Sequence, residues 1–119
     1  MQLNVNATPA GGITRRVTIP RMTATVTHNP DASRFEIRLD GQLAECVYRR
    51  QGGVLVLVHT EVPDALRGQG LAAQLVMAGL AYAREQGLRV RPGCSYAAVY
   101  MRRHSETHDL LETPFSPQP

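Results

Sequence analysis

The chain has 119 residues, of which 43% are hydrophobic and 19% are charged, and its net charge is +3. This length and composition suit one globular domain, and no apolar run approaches the roughly 20 residues that a membrane helix needs. All 13 basic residues are arginine, and two cysteines are too few for a disulfide framework.

The first residues are typical of a tail that precedes the folded domain. Residues 1–21 place prolines and glycines among small polar residues, which predicts a flexible tail with a short edge strand near Arg16–Ile19. They contain no basic stretch followed by an apolar one, so we expect no secretory signal and a cytoplasmic protein. The folded domain is expected over residues 22–113, with a frayed end over 114–119.

The first half of the domain predicts an antiparallel meander. Phe35, Ile37 and Leu39 alternate with charged residues, as in a half-buried strand. Asp40-Gly41 follows and signals a tight hairpin. Val54–Val58 is apolar without alternation, so we expect a central strand covered on both faces. The predicted strands are Thr23–His28, 35–39, Gln42–Arg50 and Val54–Val58, and turns are predicted at 29–31 and 51–53.

The second half predicts helices and one parallel strand. Small and apolar residues recur at helical spacing from Ala72 to Ala83, so we expect a helix from Gly68 to Gln86 that ends at Gly87. A strand over Leu88–Arg91 would then pair in parallel with the central strand. Ser95 is expected to cap a helix over Tyr96–Arg103, and a short helix to cover Glu106–Leu111. The fold class is therefore α+β (α/β), with a mixed, mostly antiparallel sheet.

The loop before the long helix has the composition of an anion-binding site. Gly68 and Gly70 allow backbone N–H groups to approach a ligand closely, and the helix N-terminus attracts phosphate. Gly68-x-Gly70-x-x-Ala73 also satisfies the dinucleotide-binding fingerprint. That fingerprint directly follows a strand and has an acidic residue about 20 positions later. Here residues 61–66 intervene and the later acid is missing, which disfavours a nicotinamide cofactor.

A second pattern in the same loop is more informative. Arg67-x-x-Gly70-x-Ala72 resembles the acetyl-CoA motif of the GNAT acetyltransferase superfamily. Three further segments add to the resemblance: His59-Thr60-Glu61-Val62-Pro63, Pro92-x-Cys94-x-Tyr96 and Tyr100-x-x-Arg103-His104. Together they resemble the minimal, short, single-domain subgroup of that superfamily, over about Thr23–Leu111.

The resemblance implies acetyl-CoA as the acyl-donor cosubstrate of an N-acetyltransferase. The pantetheine arm would bond to backbone groups around Glu61 and Val62, and the acyl thioester would point toward Cys94. The pyrophosphate would lie on the N–H groups of the loop, with Arg67 at its edge. The loop residues so implied are Gly68, Gln69, Gly70, Leu71 and Ala72.

Four side chains are candidates for proton transfer, because an amine with a pKa of about 10.4 must lose a proton before it attacks. Glu61 is the first candidate for the base, and His59 is the second, with a structural histidine as the alternative. Cys94 could protonate the leaving thiolate or accept the acetyl group, because a helix N-terminus favours a thiolate. The alternative is a buried small hydrophobe, which is also the interpretation of Cys46. Tyr100 could serve as an acid or pack in the core.

The sequence departs from the subgroup pattern at Ser105 and Thr107, where proline and tyrosine are usual. The chain also ends before a final strand hairpin, so part of the acceptor wall is expected to be missing. A second copy of the chain in a homodimer would complete that wall, or the acceptor would be a large exposed surface such as a protein chain. The acceptor amine is expected to belong to a small molecule or a protein. A non-catalytic acyl-CoA-binding or sensor module is the alternative function.

Two other functions are disfavoured. His104 and His108 share a helix face, but a zinc site needs further ligands and only Cys94 is a candidate, so no metal is expected. The 13 arginines are scattered and only 5% of residues are aromatic. That composition falls short of a nucleic-acid-binding surface.

Overall fold

The computed structural model describes residues 15–18, as backbone only, and residues 25–114. The strands are β1 (Arg15–Thr18), β2 (Thr25–Asn29), β3 (Arg34–Leu39), β4 (Gln42–Gln51), β5 (Val54–Glu61) and β6 (Arg89–Pro92). The α-helices are α1 (Leu71–Gln86) and α2 (Ser95–Arg103), and short 3₁₀ helices cover Pro30–Ala32, Asp64–Leu66 and Ser105–Leu110. Neither helix in this part of the chain combines the length and apolar character needed to cross a membrane.

The six strands form one sheet in chain order. Strands β1 to β5 pair antiparallel with their neighbours, and β6 pairs parallel to β5 after the α1 crossover. The mixed, mostly antiparallel sheet is therefore confirmed. Strand β1 (Arg15–Thr18) is one residue earlier in the chain than the edge strand expected at Arg16–Ile19. The rest of the expected tail, the start of the domain at residues 22–24 and residues 115–119 lie outside the described residues, so the predicted domain limits stay predictions.

Left-handed backbone positions define the ends of α1. Gly87 has φ 69°, and the N–H of Leu88 donates to the carbonyl of Ala83 at 2.8 Å, which confirms the predicted helix end. The predicted start at Gly68 is wrong. Gly68 and Gly70 have φ values of 85° and 74°, which a right-handed helix cannot include, so α1 begins at Leu71.

The second helix begins with a sulfur cap. Ser95 was expected to be the capping residue, but it is the first residue of α2. The residue in the cap position is Cys94, whose Sγ accepts a hydrogen bond from the N–H of Ala97 at 3.4 Å. The predicted last helix is a 3₁₀ segment one residue earlier, Ser105–Leu110. The Thr107 hydroxyl stabilises it by donating to the carbonyl of His104 at 2.7 Å.

The core lies between α1 and one face of the sheet, which we call the inner face. Leu55 and Leu57 of β5 are fully buried there, and a Cβ on Gly79 of α1 would lie 3.3 Å from Leu57 Cδ2. The expectation that both faces of β5 are covered is wrong. Val56 is only half-buried, and Val58 is 37% exposed. We call this less covered side the outer face.

Candidate functional site

A β-bulge at Val58 decides which side chains of β5 face which side of the sheet. Tyr48 of β4 pairs with Leu57, but the preceding residue, Val47, pairs with His59, so Val58 has no opposite residue. Side chains alternate along a strand, and an extra residue reverses that alternation. Beyond the bulge, Thr60 therefore shares the inner face with Leu57.

The same bulge turns His59 and Glu61 to the outer face. Glu61 lies opposite Glu45 in the ladder, and its Oε1 is 3.1 Å from His59 Nε2. The two side chains are 64% and 54% exposed, respectively. The atoms of Glu45, His59 and Glu61 that could ligate a metal ion lie within 4.8 Å of one another. Arg34 Nη1 donates a hydrogen bond to Glu45 at 3.0 Å. His59 and Glu61, the two candidates for the base, therefore lie side by side on the outer face, whereas Thr60 lies on the inner face.

Strand β5 is longer than its pairing with β6. The parallel ladder ends at Leu57 and Pro92, whereas the ladder with β4 continues to Glu61. Within the described chain, the stretch Val58–Glu61 therefore has a strand on one side only, and its other edge offers backbone N–H and C=O groups. Gly93 marks where the chain leaves the sheet, because a Cβ there would lie 2.9 Å from the Leu57 carbonyl oxygen.

A groove of about 370 Å³ runs from this strand edge to the N-terminus of α1. The residues that line it are Thr60, Val62, Leu66, Arg67, Gly68, Gly70, Ala72 and Tyr96. Of the implied cofactor-binding residues, it therefore brings together Val62, Arg67, Gly68, Gly70 and Ala72. Gln69 is exposed on the same loop, and the Leu71 side chain is buried, so only the backbone of Leu71 is available to a ligand.

The loop end of the groove suits an anion. No atom lies within 4 Å of the position that a Cβ would take at Gly68 or Gly70, so both stretches of backbone are open to a ligand. The first turn of α1 contains no acidic residue, and its N–H groups lack helical partners. Arg67 is 70% exposed and pairs with Asp64 at 3.1 Å, an exchangeable surface contact.

Thr60 lines the strand end of the groove, and two cysteines lie next to Thr60. Thr60 Oγ1 is 3.3 Å from Cys94 Sγ, and Cys46 is the residue opposite Thr60 in the ladder. Burial raises the pKa of the Cys46 thiol to about 11, against a smaller lowering effect of its hydrogen bond with Thr60. The prediction that Cys46 belongs to the core is confirmed, since it is fully buried. Thr60 was missed because only the bulge turns it inward.

Of the two tyrosines of α2, Tyr96 lines the groove and Tyr100 is not among its lining residues. Tyr100 stacks on His104 with ring centroids 4.0 Å apart. Burial raises the pKa of the Tyr100 phenol, so it holds its proton at neutral pH. His104 Nδ1 donates to the Tyr100 carbonyl at 2.7 Å, and His108 Nε2 donates to the Met101 carbonyl at 2.8 Å. These two nitrogens carry protons and are not free to ligate an ion.

Comparison with known proteins gives consistent matches. A family model described as GCN5-related N-acetyl-transferase matches residues 34–110. Protein NATD1 of Mus musculus is 37% identical over 82 residues, which cover 66% of this chain and 74% of the relative. Protein NATD1 of Xenopus tropicalis is 34% identical over 88 residues, covering 71% and 81%. The solution structure of a GCN5-like protein from Staphylococcus aureus is similar with a TM-score of 0.59 and 30% identity, covering 71% and 84% of the two chains.

Proposed function

Because the chain belongs to the GCN5-related N-acetyltransferase family, we propose that it transfers an acetyl group from acetyl-CoA to the nitrogen of an amine. Family membership supports acetyl transfer in general. The observation that supports acetyl-CoA as the donor is the groove, which joins a helix N-terminus suited to an anion to a strand edge that is unpaired among the described residues. The helix end suits the charged oxygens of a pyrophosphate, and the strand edge suits the amide groups in the pantetheine arm of coenzyme A.

Each part of the groove has a role in this proposal. Backbone N–H groups from Gly68 to Ala72 would hold the pyrophosphate, and Arg67 would exchange Asp64 for a phosphate oxygen. The free edge of Val58–Glu61 would pair with the pantetheine amides, as an added strand does. The backbone of Glu61 and Val62 therefore contributes to binding. Acetyl-CoA supplies the activated acyl group as a thioester.

Proton transfer is proposed to use both faces of β5. An amine that arrives from the outer face would meet Glu61, which takes its proton directly or through His59 at 3.1 Å. On the inner face, Cys94 is hydrogen-bonded to Thr60 and would return a proton to the leaving thiolate. Tyr100 keeps its proton and is the second candidate for that acid. Transient acetylation of Cys94 is the alternative route.

The proposal is tested by incubating the protein with acetyl-CoA and a panel of amines, and measuring the release of coenzyme A. The panel contains a lysine peptide, a polyamine and an arylamine. We expect one class to accelerate release above the rate without acceptor, with formation of the acetylated amine confirmed by mass. Binding of acetyl-CoA with no release for any amine would instead support the acyl-CoA-binding or sensor module.

A further inference from the structure

The chain has two cysteines, and the fold brings both next to one threonine. Cys46 lies in the middle of β4, and Cys94 lies far along the chain at the start of α2. Thr60 lies between them: it is the ladder partner of Cys46, and its Oγ1 is 3.3 Å from Cys94 Sγ. Thr60 therefore contacts Cys94 and lies opposite Cys46, which places both cysteines beside one residue.

The two cysteines differ in access and in their hydrogen bonds. Cys46 is fully buried, whereas Cys94 is partly exposed. Cys94 Sγ also accepts the N–H of Ala97 in the first turn of α2. Reactive cysteines of this kind are partly exposed and often lie next to a second cysteine that resolves the oxidised form.

We propose that Cys94 and Cys46 form a reversible redox pair that hydrogen peroxide closes into an intramolecular disulfide. The Cys94 thiolate attacks one peroxide oxygen, the O–O bond breaks, and Cys94 becomes a sulfenic acid as hydroxide leaves. The Cys46 sulfur then attacks the Cys94 sulfur, the S–O bond breaks, and the Cys46 proton passes to the departing hydroxide. Counting the proton that Cys94 loses, two thiols and one peroxide give one disulfide and two waters. The disulfide would connect β4 to the start of α2 beside the groove, and a dithiol would reopen it.

The test treats the full chain with equimolar hydrogen peroxide and then blocks the remaining thiols. Trypsin cleaves the chain into separate peptides for Cys46 and Cys94, because arginines lie between them. We expect the two peptides to be recovered joined, with the loss of both free thiols and their recovery after reduction. Chains linked to each other, or a fully free Cys46 beside an oxidised Cys94, would overturn the proposal.

Two variants assign the order of events. In Cys46→Ala, Cys94 should stop at the sulfenic acid and be trapped by a sulfenic-acid-specific reagent. In Cys94→Ser, the buried Cys46 should stay a free thiol at the same peroxide dose. Equal oxidation of Cys46 in Cys94→Ser would contradict the proposed order. The peptide assay on the unmodified protein does not depend on whether either variant folds, and it does not depend on acetyl transfer.

Discussion

Glu61 and Thr60 are adjacent residues that lie on opposite faces of β5, and the proposed function gives them different roles. Thr60 faces the groove and contacts Cys94, whereas Glu61 pairs with His59 on the outer face. A base on one face and an acid on the other can serve an amine and a thiolate that approach from opposite sides of a strand. The proposal therefore assigns the role of base to Glu61, whereas Thr60 contacts Cys94, the candidate acid.

Replacing Glu61 by glutamine should slow acetyl transfer by about 10²–10⁴-fold, the range typical of a lost general base. The affinity for acetyl-CoA should not change, because only the backbone of this residue is proposed to contact the cosubstrate. The matched control is Glu85→Gln on the exposed face near the end of α1. Initial rates and a binding titration on both variants provide the measurement. Equal rates for the two variants would remove Glu61 from the proposed mechanism.

At the scale of elements, the sequence predicted most of the strands and helices. It did not predict which face of the sheet each side chain at the end of β5 occupies. The Asp40-Gly41 turn and the helical spacing of α1 are local patterns, and both were confirmed. Alternation predicted strand β3 itself, but the expected exposure of Glu36 is wrong, because Arg34 and Asn29 pair with its buried carboxylate. The bulge at Val58 has no such local pattern, because it depends on the register that β4 imposes. The cap of α2 was also assigned to the wrong residue, since a cysteine is not among the usual capping residues.

Gly93 maintains the close approach between the end of β6 and β5. A Cβ at this position would lie 2.9 Å from the Leu57 carbonyl oxygen, and backbone atoms cannot easily move away. Gly93→Ala should lower the free energy of unfolding by about 1–3 kcal/mol. Gly53→Ala is the control, because no atom lies within 4 Å of its Cβ position. Denaturant titration measures the free energy of unfolding of both variants. If Gly93→Ala is no less stable than Gly53→Ala, the strands can move apart to accommodate the Cβ without a loss of stability.

At the scale of the whole molecule, a network of arginine–carboxylate pairs crosses the outer face. Arg34 donates to both Glu36 and Glu45, which are ladder partners with like charge. Burial alone would raise the pKa of Glu36, but hydrogen bonds from Arg34 and Asn29 outweigh it and hold that pKa below its ordinary value. The stabilisation is therefore present above the ordinary carboxyl pKa and is lost as the pH falls through the lowered one.

Thermal unfolding should show this network as a loss of stability below about pH 5, where carboxylates begin to gain protons. Glu36→Gln should cost about 1.5–3 kcal/mol at neutral pH, as expected for a hydrogen bond to a charged group. Its unfolding temperature should also fall less steeply with acid than that of the parent chain. An unchanged slope in Glu36→Gln would mean that other carboxylates carry the acid sensitivity.

The whole-molecule fold was predictable from sequence, whereas the groove was only partly so. Gly68, Gly70 and Arg67 identified its loop end, because glycines before a helix are a local feature. Its strand end forms where β6 stops pairing at Leu57, and Tyr96 closes it from α2. These contacts join distant parts of the chain and become visible only in the folded structure.

The most direct test of the central proposal is a calorimetric titration of the chain with acetyl-CoA, repeated with Gly70→Asp and Gly41→Asp. Both glycines have φ 74° and open space around the Cβ position, so the two variants carry the same strain and charge. We predict binding by the parent chain and by Gly41→Asp, and its loss in Gly70→Asp, where a carboxylate would repel the pyrophosphate. Equal binding by all three folded proteins, or none by the parent chain, would contradict an acetyl-CoA site on this loop.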